Sequence, residues 1–121
     1  MARVAADGDA FEARACEFLE AAGLALVTRN WRCRLGEIDL IMRDGATLVF
    51  VEVRKRSAQQ FGGAGASISA SKLKKLEAAA SLYLADFPRA PDCRIDAVVF
   101  DVHAGAPADA RPGWIKNISQ H

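Results

Sequence analysis

Apolar residues recur at helical spacing near the start of the chain, at Phe11, Ala15, Phe18 and Ala22, with Gly23 as a stop. This predicts a helix over residues 8–22. Glu12, Cys16 and Leu19 form the adjoining line, which puts Glu12 at the border of the buried face. Three strands are expected next, over 24–32, 37–43 and 47–54, with Asp44-Gly45 as the tight turn between the last two. Leu48-Val49-Phe50-Val51 is apolar on both faces, as in a central strand covered from two sides. A second helix is expected over 71–85, with Leu73, Leu76, Ala80 and Leu84 inward and Pro88 and Pro91 beyond its end. A fourth strand follows over 93–102, and Trp114–Ile118 is read as a short edge strand. The Gly/Ala/Ser-rich stretch 57–69 is expected to be a mobile loop, and the Pro/Gly/Ala stretch 104–113 a second loop.

The pattern is therefore α/β: helix, three-stranded antiparallel meander, helix, strand, forming a mixed central sheet flanked by helices. Short connections make the meander antiparallel. The second helix can carry a right-handed crossover to a parallel strand. With 121 residues the chain makes one domain, 1–121, and no linker divides it.

A composition that is 51% hydrophobic is globular, and no apolar run approaches a membrane span. The N-terminus lacks the basic and apolar regions of a secretory signal. The three cysteines, Cys16, Cys33 and Cys93, are far apart and form no C-x-x-C pair, so a disulfide framework or a zinc site is not indicated. They are read as small part-buried side chains of a cytoplasmic protein. The net charge of +1 hides an asymmetry: from Arg29 to Lys75 there are ten bases and four acids. Bases that hold phosphates around a few acids that hold a cation suit a metal-using enzyme on phosphodiesters; a solvated surface of mixed charge fits the same count.

Alternation places Glu37, Asp39, Ile41 and Arg43 on one face of the second strand, and Ile38, Leu40 and Met42 on the other. On the third strand Leu48, Phe50, Glu52 and Arg54 share a face, opposite Val49, Val51 and Val53. Counting back from the turn sets Arg43 opposite Ala46 or Thr47, and Asp39 opposite Phe50 or Val51, diagonal to Glu52. A carboxylate at the end of an apolar central strand must be paired, protonated or bound to metal. Two carboxylates this close repel unless a cation lies between them, and Mg²⁺ (or Mn²⁺) suits a site of carboxylates, a carbonyl and waters. The competing reading makes Glu52 and Asp39 partners of Arg54, Arg43 or Arg56 in structural ion pairs.

Other signals are weaker. Trp31, among Arg29, Arg32 and Arg34, can stack on a base or pack in the core, and core is favoured. Asp96 with Arg94 is a support for the site or a structural ion pair. His103 and His121 are isolated, and no serine has a nearby histidine, so neither a histidine-metal site nor a serine hydrolase is indicated.

Asp39, the thirteen-residue step to Glu52 and the basic residue two further on resemble the PD-(D/E)xK nucleases. Glu12 on a preceding helix is similar to the extra helical acid of archaeal Holliday junction resolvases. More closely, Asn30–Ile41, Leu48–Arg54 and Arg94–Val98 resemble the YraN family of small bacterial proteins, over nearly the whole chain. The resemblance implies a restriction-endonuclease-like fold and a nuclease-like domain. It implies Asp39 and Glu52 as metal ligands, the Val53 carbonyl as a third, and Glu12 as an assisting acid, with Glu37 as a further acid beside Asp39. Arg54 takes the place of the nuclease lysine, as in some members of the family. Arginine stays charged and cannot act as a base, so Lys72, bordering the inward stripe of the second helix, is a candidate substitute. Arg32, Arg34, Arg54, Arg56 and Lys72 are the candidate contacts to nucleic acid. Phe11 stands where the family carries glycine beside the helical acid.

The expected function is that of a Mg²⁺-dependent endonuclease or junction-resolvase-like phosphodiesterase on structured DNA. By analogy with resolvases it would be a homodimer, because a junction offers two symmetric strands. The alternatives are a catalytically weak nucleic-acid-binding module and a non-nucleic adaptor with a basic surface.

Overall fold

The protein, described here by a computed structural model, is defined for residues 7–57, 68–102 and 112–119, with side chains defined from residue 10 onward except at 56, 57 and 102. Helix α1 (Asp7–Ala21) leads into strands β1 (Ala25–Cys33), β2 (Gly36–Asp44) and β3 (Thr47–Ser57); helix α2 (Ala70–Leu84), β4 (Cys93–Val102) and β5 (Gly113–Ile115) follow. Both expected loops, 57–69 and 104–113, fall largely outside the described residues. The five strands lie in the order β1-β2-β3-β4-β5. β1, β2 and β3 form the antiparallel meander, β4 joins β3 in parallel after α2, and β5 pairs antiparallel with β4. The α/β mixed sheet read from the sequence is thus the observed one.

The central strand is buried from both sides because alternate residues feed two cores. Val49, Val51 and, partly, Val53 join Ala15, Leu19, Leu40, Met42 and Val98 on the α1 side. Leu48 and Phe50 join Ile41, Leu76, Ala79, Ala80 and Ile95 on the α2 side. Trp31 packs against this second core, its ring 5.3 Å from that of Tyr83, as the core reading expects. Helix α2 starts at Ser69, whose Oγ accepts the Lys72 N–H at 3.1 Å and satisfies one of the donors a helix start leaves open.

Several expectations are corrected. The buried line of α1 is Glu12, Ala15, Cys16 and Leu19, while Phe11 and Phe18 are partly covered and Ala22 is exposed. The helix is rotated about one step from the predicted stripe, because the two phenylalanines flank the contact instead of filling it. The β2–β3 hairpin closes with Asp44 opposite Thr47 around Gly45 (φ 63°) and Ala46, so Arg43 faces Leu48 and Leu40 faces Val51. Both central residues belong to the turn, and the predicted pairing is therefore displaced by one or two positions. Ile38 packs on the α2 side with Ile41, not with Leu40 and Met42. Strict alternation fails where the regular β2–β3 pairing ends, at Leu40–Val51. Cys93 is exposed, not part-buried; the cysteines are free.

That early end of the β2–β3 ladder positions the site. β3 continues beside β4 to Ser57, while β2 beyond Leu40 continues beside β1 to Gly36. The far end of β3 therefore keeps one hydrogen-bonding edge turned away from β4. At that edge the Val53 N–H donates to the carboxylate of Asp39 (2.8 Å to Oδ2) instead of to a β2 carbonyl.

Candidate functional site

Asp39 is the pivot. Besides the Val53 N–H, its carboxyl engages a side-chain hydrogen bond from Glu12, and Lys72 attracts it. Burial nonetheless outweighs these and raises its pKa above the ordinary carboxylate value, helped by the charge of Glu37. Glu12 on α1, Glu37 and Asp39 on β2 each offer an oxygen within 4.8 Å of the others. Glu12 is 8% exposed, and Glu37 and Asp39 are half-buried. Three hard oxygen donors at such spacing are the donor chemistry that Mg²⁺ or Mn²⁺ takes.

Glu52 stands beside this group at the open end of β3, 4% exposed. Burial first, and the neighbouring Asp39 charge second, push its pKa up to about 7, against the pull of Lys72 and Arg54. Its Oε2 lies 3.5 Å from Arg54 Nη1 and 3.6 Å from Lys72 Nζ. Lys72 thus reaches from α2 to the same carboxylate oxygen as the strand arginine, which its place beside the inward stripe allows.

The acids gathered most closely are Glu12, Glu37 and Asp39, so Glu37, read from sequence as a further acid, belongs to the cluster itself. Glu52 adjoins the cluster and is held by two cations. The side chain of Arg56 lies outside the described residues. Arg32 and Arg34 are exposed at the β1–β2 hairpin end, and Arg32 Nε lies 3.8 Å from Glu37 Oε1.

Asp96 is a structural hub. Fully buried, it accepts from Arg94 Nε (3.1 Å to each oxygen), Trp114 Nε1 (3.0 Å) and the Asn117 N–H (2.8 Å), while Arg94 Nη2 donates to Asp44 at 3.1 Å. The ion pair with Arg94 was legible at i, i+2 on one strand face. The Trp114 and Asn117 donors were not, since they arrive from beyond the 104–113 stretch.

Among the described residues no helix is long and apolar enough to cross a membrane. The profile of a family described as "Uncharacterised protein family UPF0102" matches residues 11–100. A "UPF0102 protein" of Janthinobacterium sp. (strain Marseille) is 48% identical over 110 residues, covering 91% of this chain and 84% of that protein. A UPF0102 protein of Ralstonia nicotianae is 54% identical over 102 residues (80% and 78% of the two chains). One of Nitrosospira multiformis is 50% identical over 110 residues (91% and 89%). The three stretches that resemble the YraN family fall inside the matched span.

Proposed function

The chain belongs to the UPF0102 family, and on that premise we propose that it is a Mg²⁺- or Mn²⁺-dependent phosphodiesterase of restriction-endonuclease-like fold that cuts structured nucleic acid, DNA foremost. One observation carries the reading: acids from separate elements converge at the open end of β3, and two cations meet there on one carboxylate. Acids gathered this closely, Glu12 and Glu52 among them buried, oppose folding when bare, and a cation and a phosphate that complete the cluster would offset that cost.

Glu12, Glu37, Asp39 and, on ionisation, Glu52 would hold the cation, with the Val53 carbonyl as a further donor. When bound, the ion would acidify water and stabilise negative charge on a phosphoryl group. The Val53 N–H fixes the Asp39 carboxylate in place. Arg54 neutralises phosphate and remains charged throughout. Lys72, the second cation at Glu52, suits a role in orienting the attacking water by donating hydrogen bonds to it. Arg32 and Arg34 would hold flanking phosphates.

The replacement of a strand lysine by Arg54 favours a second reading, a binding module with little catalysis. A labelled panel of four-way junction, flap, single strand and duplex separates them, with Mg²⁺ or Mn²⁺ and with wild type beside Asp39→Asn. Metal-dependent cutting lost in the variant supports the enzyme. Salt-sensitive binding with no cutting on any substrate supports the module. No binding even at low salt refutes both.

A further inference from the structure

The turn that joins β1 to β2 consists of two residues, Arg34 and Leu35, closed by Cys33 opposite Gly36 and Arg32 opposite Glu37. Turns this short are ordinarily made of glycine, asparagine or aspartate, which supply backbone freedom or a local hydrogen bond. Here Gly36 takes the positive φ (147°), so the backbone makes no special demand on the residue before it. Leu35 belongs to neither core and is 40% exposed. The other exposed large apolar side chains among the described residues are Leu26 and Val27, at the β1 bulge, and Phe87, whose ring lies 5.7 Å from that of Tyr83. Of the four, Leu35 is the one at the tip of a hairpin.

Its surroundings suit a polyanion. Arg34 precedes it in the turn and is exposed. Arg32, near the end of β1, has a side chain 70% exposed and one contact of 3.8 Å, with Glu37. Glu37 belongs to the acid cluster, and Leu35 lies two residues before it, about 7 Å along the chain. A phosphate backbone drawn to the two arginines beside the cluster therefore brings its bases toward Leu35. Leucine is one of the side chains that proteins insert between base steps, and the unstacking this requires costs least where pairing or stacking is already interrupted. A branch point or flap offers such an opening; a continuous duplex does not.

We propose that Leu35 is a wedge that enters the base stack where it is interrupted, while Arg32 and Arg34 hold the phosphates beside it. The wedge sets the choice of substrate: branched or flapped nucleic acid over continuous duplex. This inference rests on the nucleic-acid reading above and narrows the substrate class of the same site.

The test is fluorescence anisotropy at low salt, in EDTA to prevent cutting, with a labelled four-way junction and a continuous duplex of the same sequence. A second junction carries 2-aminopurine at the branch, whose emission rises when the base unstacks. The proteins are wild type, Leu35→Ala, the apolar replacement Leu35→Met, and Arg34→Gln. Wild type is expected to bind the junction about tenfold more tightly than the duplex and to raise the 2-aminopurine emission, in keeping with the burial of one leucine side chain. Leu35→Ala should lose that preference and the emission rise while its duplex affinity stays within about twofold of wild type. Leu35→Met should keep both. Arg34→Gln should weaken binding to the two substrates alike and lower the slope of log K against log salt by about one. The wedge is overturned if Leu35→Ala keeps the junction preference and the emission rise, or if it weakens duplex and junction equally. If wild type binds both substrates equally with no emission rise, this inference alone fails; if wild type binds neither, the function proposed above fails with it.

Discussion

Replacing Glu52 by glutamine in the metal-free protein gives opposite signs under the two readings of this residue. Glu52 is 4% exposed, and its pKa is lifted from the ordinary 4.5 to about 7, chiefly by burial and by Asp39, even with Lys72 and Arg54 pulling it down. The folded state therefore holds the Glu52 proton more tightly than the unfolded state does. Stability from this group is intact below pH 4.5 and declines as pH rises through about 7, where the carboxylate is charged in both states. At about 1.4 kcal/mol per pH unit the full rise is worth roughly 3 kcal/mol, shared with Asp39 because the two carboxyls titrate together. Glu52→Gln removes the ionisation. In EDTA at pH 8 the variant should be more stable than wild type by about 1–3 kcal/mol, and the gain should shrink toward pH 5. Urea denaturation at both pH values reads this directly, with slopes compared to exclude a change in the unfolded state. In Mg²⁺ the order should narrow or reverse, since wild type binds the ion more tightly than the variant and gains about 1.4 kcal/mol at ten times its Kd. A variant less stable than wild type by a few kcal/mol at pH 8 would show that Glu52 is a structural ion-pair partner, and the reasoning would be refuted.

Two further outcomes follow from the same geometry. Lys72→Arg keeps the charge beside Glu52 but replaces the compact ammonium by a planar guanidinium, so it should retain nucleic-acid binding and lose cleavage by about 10²-fold or more; cleavage near wild type would reduce Lys72 to a charge. Asp96→Ala removes the fully buried acceptor that Arg94, Trp114 and the Asn117 N–H share and should cost about 3–5 kcal/mol by urea denaturation, whereas Asp44→Ala, at the more exposed end of the same network, should cost under about 1 kcal/mol.

Much of the fold was legible because its signals are local. The both-sided burial of β3 follows from Leu48-Val49-Phe50-Val51, and the parallel β4 from a helix-length crossover. Lys72 was singled out as a substitute for the lysine that the resemblance implies, from its place beside the inward stripe of α2, and its Nζ lies 3.6 Å from Glu52 Oε2. What escaped was set by non-local events. The hairpin register depended on whether Asp44 or Gly45 closed the turn, and pattern alone does not decide that. Ile38 was misjudged because β2 leaves β3 at Leu40, which breaks strict alternation; Glu37, read as a further acid beside Asp39, lies there and meets Glu12 as well.

The central claim is that the carboxylates at the open end of β3 are assembled to hold a divalent cation. Calorimetric titration of Mn²⁺ into wild type, Glu37→Gln and Asp39→Asn, at pH 6 and pH 8, tests it most directly. The account predicts saturable binding by wild type, tighter at pH 8 because raised carboxyl groups must release protons, and about tenfold or more weaker in each variant. Binding that is absent in wild type at millimolar Mn²⁺, or that is unchanged in both variants, would contradict it.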